Sequence, residues 1–130
     1  KMKLSELKTI DIIAKEWRDK VNGNSYFSSR VILNLEHEDE MVIEIPFQYG
    51  YGEAYLFESM DAVKYLFPTS RWFKESLQKW QAKDLYNFKL NYGIIKDCKK
   101  SDLYHGEGLN YMGCMRKPIP ARKHVQWSNS

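Results

Sequence analysis

Three short stretches of alternating apolar and polar residues lie within the first 50 positions, and they constrain the fold more than anything else in the chain. Ile10, Ile12 and Ala14 alternate with Asp11 and Lys15. Phe27, Val31, Leu33 and Leu35 fall on one face of the next stretch, with Ser28, Arg30 and Asn34 on the other. Met41, Ile43, Ile45 and Phe47 share a face in the third. A period of two marks half-buried strands. The connections are short and turn-forming: Asn22-Gly23-Asn24, then the acidic His37-Glu38-Asp39-Glu40. Short links between neighbouring strands favour an antiparallel meander.

The pattern then changes. Tyr49-Gly50-Tyr51-Gly52 interrupts the alternation, and Leu56, Met60, Val63 and Phe67 recur at helical spacing. A helix over about 53–67 is predicted, stopped by Pro68 because the residue before proline is driven from helical geometry. Thr69 or Ser70 is placed to cap a second helix to about Ala82, with Phe73, Leu77 and Trp80 as its inner stripe. Phe88, Leu90, Tyr92 and Ile94 alternate again and predict a fourth strand at the sheet edge. The expected fold is therefore two-layer α+β: an antiparallel β-meander of three to four strands packed on two helices, with an irregular C-terminal tail. The core domain is assigned to 2–98 and the irregular basic segment to 99–130.

Composition supports one domain of ordinary globular balance. The 130 residues are 43% hydrophobic and 28% charged, and a chain of this length can bury a core without staples. The 15% aromatic share leaves rings beyond what a core needs; these sit half-buried or form a binding face. Two cysteines and no apolar run after the opening Lys1–Leu4 point to free thiols in a reducing cytoplasm. No apolar run approaches a membrane span. The net charge of +3 is uneven: from Lys96 onward seven basic residues face three acidic ones, against 13 and 14 before it. Such asymmetry suits an anionic partner or serves solubility.

Five loop residues are candidate contacts for a partner: Asn24 and Tyr26 after the first turn, and Tyr49, Tyr51 and Tyr55 around the glycines. Turn chemistry alone also explains the Asn and Gly residues. The Gln48–Gly52 corner lacks the Lys-Ser/Thr pair of a P-loop, and Glu53 would repel a phosphate at the helix start. In the tail, Arg116, Lys117, Arg122, Lys123 and Trp127 interleave cations with a ring and are the candidate nucleic-acid contacts. The plainer reading docks Ile119, Val125 and Trp127 on their own domain or on a second copy, as a homo-oligomer. Cys98, His105, Cys114 and His124 match no zinc spacing, and the 37–40 turn lacks a calcium-loop pattern. Neither a metal nor a cofactor is assigned.

Two segments carry a resemblance. Ala14-Lys15-Glu16-Trp17 followed by Asp19–Ser28 (DKVNGNSYFS), and Pro46-Phe47-Gln48-Tyr49-Gly50-Tyr51-Gly52 with Tyr55, resemble the hallmarks of an uncharacterised family of small tailed-phage and prophage proteins. The similarity spans roughly 9–67. It implies a small accessory protein made in the cytoplasm of an infected bacterial cell, and it carries no catalytic residue. Three functions follow as expectations, in order. The first is a non-catalytic accessory protein of the anti-defence type that binds a host or defence protein. The second is a nucleic-acid-binding protein using the basic tail. The third is a small enzyme using carboxylates such as Asp11, Glu16 or Asp19.

Overall fold

The computed structural model describes residues 2–106 and, as backbone only, the short strands at 115–116 and 128–129. A 3-10 turn, Leu4–Glu6, leads into β1 (Thr9–Asp19), β2 (Asn24–Leu33) and β3 (Met41–Tyr49). Helices α1 (Ala54–Tyr65), α2 (Arg71–Lys74) and α3 (Lys79–Tyr86) follow, then β4 (Lys89–Ile95). A 3-10 turn at Lys100–Asp102 and the two-residue strands β5 (Met115–Arg116) and β6 (Ser128–Asn129) complete the described elements. The fold is α+β, a sheet packed on helices.

β1, β2 and β3 form the antiparallel meander that their alternation predicts. β4 joins the free side of β1, but parallel to it, with Ile10 opposite Leu90 and Ile12 opposite Tyr92. The strand order is β5-β3-β2-β1-β4-β6. The parallel partner arises because the helices carry the chain across one face, from β3 to the far side of β1. A crossover of that length can reverse the hairpin rule.

The core lies between this face and the helices. Ile10, Ile12, Ala14, Phe27, Val31, Leu33, Ile43 and Ile45 from the strands meet Leu56, Met60, Val63 and Phe67. The α1 stripe thus packs as its spacing predicts. The paired hydroxyls of Ser29 and Ser59, 2.7 Å apart, satisfy each other at this buried seam. The second helix breaks in two after Lys74, with Ser76 at φ 50 between the pieces. Ser70 does cap the first piece, accepting the Phe73 N–H at 3.2 Å. The break shifts the stripe, so Trp72 is the buried ring, Phe73 is half-buried and Trp80 is exposed.

The opposite face of the sheet carries a smaller apolar group, Ile13, Ile32 and Val42, with Leu35 and Ile95 against it. Leu35 was expected on the helical side. It follows Asn34, whose φ of 53 turns the chain after β2 ends and sends Leu35 the other way. Asn34 itself is buried. Its side chain accepts from the Lys8 and Thr9 N–H groups and donates to the Glu6 carbonyl and Asp39. It thereby ties the N-terminal turn to the second hairpin.

Candidate functional site

A β-bulge decides what the non-helical face displays. Between the pairs Ser29–Ile45 and Phe27–Gln48, β2 advances two residues while β3 advances three. The extra residue lies at Pro46-Phe47, and proline is at home there because it has no N–H for the ladder. Parity flips beyond it. Ile45 points into the core as predicted, but Phe47, expected beside it, lies on the other face and stacks on Tyr26.

The result is a run of rings at one end of the sheet. Tyr26 lies between Trp17, at 5.4 Å, and Phe47, at 4.9 Å, stacked on both. His105 stacks on Phe47 at 4.7 Å. Tyr49 meets Tyr26 edge-on at 5.9 Å, and Tyr51 meets Tyr49 edge-on at 6.5 Å. Trp17, Tyr26 and Phe47 are half-buried, whereas Tyr49 and Tyr51 are 60% and 70% exposed. The two segments that carry the family resemblance, 14–28 and 46–52, therefore converge on one surface.

The backbone under these rings is held firmly. Gly50 donates its N–H to the Ser25 carbonyl at 3.0 Å. A Cβ on Gly50 would stand 2.6 Å from the Phe27 ring and 2.9 Å from the Ala54 Cβ. Gly52 adopts φ +61, a left-handed turn that leads into α1. Tight packing and turning explain both glycines.

A strap from Cys98 to Tyr104 crosses the same face. The Cys98 N–H donates to the Glu16 carbonyl, Lys15 Nζ to the Asp102 carbonyl at 3.2 Å, and the Phe47 N–H to the Tyr104 carbonyl at 2.7 Å. His105 hydrogen-bonds the Lys100 carbonyl through Nε2 at 2.7 Å. Lys100 Nζ stands 5.6 Å from the Trp17 ring centre and 5.7 Å from that of Phe47, within reach of a cation–π attraction. A groove of about 420 Å³ beside Trp17 is lined by Arg18, Asp19, Lys20, Lys99 and Lys100. None of these four cations belongs to the ion pairs formed among the described residues, which are Arg30–Glu44, Lys64–Asp61 and Arg71–Glu75. Asp19 is engaged in its own turn, accepting from the Asn22 side-chain amide at 2.8 Å and from the Asn22 and Val21 backbone N–H groups; these bonds, with the charge of Lys100, hold its carboxyl below the usual range.

The sequence-predicted contacts divide. Tyr26, Tyr49 and Tyr51 belong to the ring run, and Asn24, half-buried, opens β2 beside them. Tyr55 does not join them. It is the second residue of α1, 5% exposed and packed in the core, and burial pushes its phenol up to about 12. It is withdrawn as a contact. Trp17, Phe47, Lys100 and His105 were missed. Pro46 was the available signal, because a proline inside an alternating run marks a bulge. Of the tail candidates, Arg116 is described only as backbone in β5, paired with Val42, while Lys117, Arg122, Lys123 and Trp127 lie outside the described residues, as do Cys114 and His124.

The candidate carboxylates do not assemble. Asp11 and Asp19 are eight residues apart on one strand, about 26 Å at 3.3 Å per residue, too far to share a substrate bond. Asp11 is buried and accepts from Asn91 Nδ2 at 2.9 Å. Burial raises its carboxyl, with the Asn91 bond acting in the other direction. The Cys98 thiol bonds the Ile95 carbonyl and is also pushed up by burial, which disfavours the nucleophilic thiolate. Among the described residues no three His, Cys, Asp or Glu side chains lie together as metal ligands, and no helix is long and apolar enough to cross a membrane.

No known family, curated protein or solved structure matches this chain.

Proposed function

We propose that the protein is a non-catalytic accessory binding protein, of the kind phages make in the bacterial cytoplasm, and that it engages a host or defence protein through its ring surface. The observation that carries this reading is the exposure of Tyr49 and Tyr51 at the end of a run of rings fixed by mutual stacking. Tyrosine and tryptophan dominate protein contacts because each buries a large area while fixing few torsions. Rings already locked by neighbours lose little further freedom on binding.

The test is capture from bacterial lysate on immobilised protein, comparing the parent with Tyr49→Ala/Tyr51→Ala. One or more proteins retained by the parent, resistant to nuclease and lost with the double substitution, are expected. Recovery of the same proteins by both forms contradicts the reading.

A second reading rests on a separate observation, the cations beside Trp17. Lys100 lies over two rings, and Arg18, Lys20 and Lys99 line the adjoining groove. Rings flanked by cations suit single-stranded nucleic acid, which stacks its bases and lays its phosphates along the charges. Binding of that kind falls steeply with salt. Retention of a labelled oligonucleotide at low salt, lost by moderate salt and by Lys100→Glu, favours this reading over the first.

A further inference from the structure

The groove beside Trp17 is formed by the end of β1 and its turn on one side and the start of the strap on the other. Arg18, Lys20, Lys99 and Lys100 in its lining are all exposed, and none belongs to an ion pair among the described residues. Asp19 and Asp97 are the acidic residues of the lining. Asp19 directs its carboxylate to N–H groups of its own turn, and Asp102, farther along the strap, accepts the Lys99 N–H at 2.8 Å. In the two segments that form and flank the groove, 15–20 and 96–102, six basic residues stand against four acidic ones. A surplus of two positive charges therefore remains with every carboxylate counted. Val21, also in the lining, is 93% exposed, more than any other large apolar side chain among the described residues.

Exposed cations select a partner by charge and speed its arrival, and an apolar side chain gives it a seat. A nucleic acid and an acidic polypeptide both carry the required charge. The rings favour the polypeptide. Lys100 already stands over Trp17 and Phe47, and His105 is stacked on Phe47 at 4.7 Å. Stacking bases compete with both for the same ring faces. A carboxylate does not compete: it meets the Lys100 ammonium from outside and leaves the cation–π contacts in place.

We infer that this groove receives an acidic segment of the protein partner, in which carboxylates flank an apolar side chain that seats against Val21 and Trp17. Such docking rests on partner binding at the ring surface, to which Trp17 joins the groove, and it adds the sign of the partner's charge.

The probe is the peptide acetyl-EELEE-amide, titrated at constant ionic strength and followed by amide chemical shifts of the whole chain. Saturable shifts centred on 17–21 and 97–100 are expected, with none from acetyl-QQLQQ-amide and weaker binding of acetyl-EEGEE-amide. Lys99→Gln/Lys100→Gln changes two exposed side chains and should weaken the peptide about tenfold, the combined value of two exposed ion pairs. Pentathymidylate, which carries the same charge as the peptide, is the competitor. Tighter binding of pentathymidylate than of the peptide would overturn the assignment in favour of nucleic acid. Equal shifts from the neutral peptide, shifts that never saturate, EEGEE binding as tightly as EELEE, or unchanged peptide affinity in the double lysine variant would each overturn it as well. The ring surface is tested apart from the groove: a protein captured from lysate that is lost with Tyr49→Ala/Tyr51→Ala but kept in full by Lys99→Gln/Lys100→Gln upholds the rings and removes the groove.

Discussion

At Gly50 there is no room for a methyl group. The nearest atom to its added Cβ would be Phe27 Cε1, on a ring that is itself 2% exposed and cannot retreat. Gly50→Ala should therefore destabilise the fold by about 1–3 kcal/mol, as overpacking of a tight core does, and lower the urea midpoint. Asp11 offers a test of a different kind. Its raised carboxyl means that the folded chain holds this proton to higher pH than the unfolded chain does. The folded state is thus penalised once pH rises from the ordinary carboxylate range past the raised value, and the penalty stays constant above it. Asp11→Asn keeps an oxygen for the Asn91 bond and removes the charge. It should be more stable than the parent at pH 7, with the advantage fading as pH falls from the raised value to the ordinary carboxylate range and gone below it. Denaturation at a series of pH values reads this directly, and an advantage that grows toward acid would contradict it.

At the scale of elements, strand interiors and α1 were legible because each has a single period and a single buried face. Val31 and Ile45 have no exposed surface, and so a carboxylate at either position has neither water nor partner. Val31→Asp or Ile45→Asp should cost several kcal/mol and abolish the cooperative thermal transition. Illegibility began where one residue changes parity or direction. The Pro46-Phe47 bulge moved Phe47 from the core to the ring surface, Asn34 moved Leu35 to the far face, and the turn at Ser76 split the second helix. Each is a local backbone event whose signal is one or two residues long, too short to disturb a periodicity count. The parallel course of β4 was hidden for another reason. Its alternation is the same in either direction, and only the path of the intervening helices decides it. The ring surface itself was half visible: Trp17, Tyr26, Phe47, Tyr49 and Tyr51 stand in recognisable segments, but the bulge that turns Phe47 onto Tyr26 and the arrival of His105 are not written in them.

Over the whole molecule the two faces of the sheet have different tasks. One is closed by helices and supplies stability. The other carries the bulge, the strap, the rings and the cations, and is the surface that the proposed function gives to a partner. Tyr49→Ala/Tyr51→Ala touches only the second. Both rings are more than half exposed, so stability should change by no more than about 0.5 kcal/mol while partner capture is lost. The most direct measurement is amide hydrogen exchange across the chain, free and bound to its captured partner. Slowed exchange centred on 17–26 and 47–51, with the helices unchanged, is the expected result. Protection centred instead on the helical side, around Phe57 and Trp80, or protection that survives the double tyrosine substitution, would contradict the account.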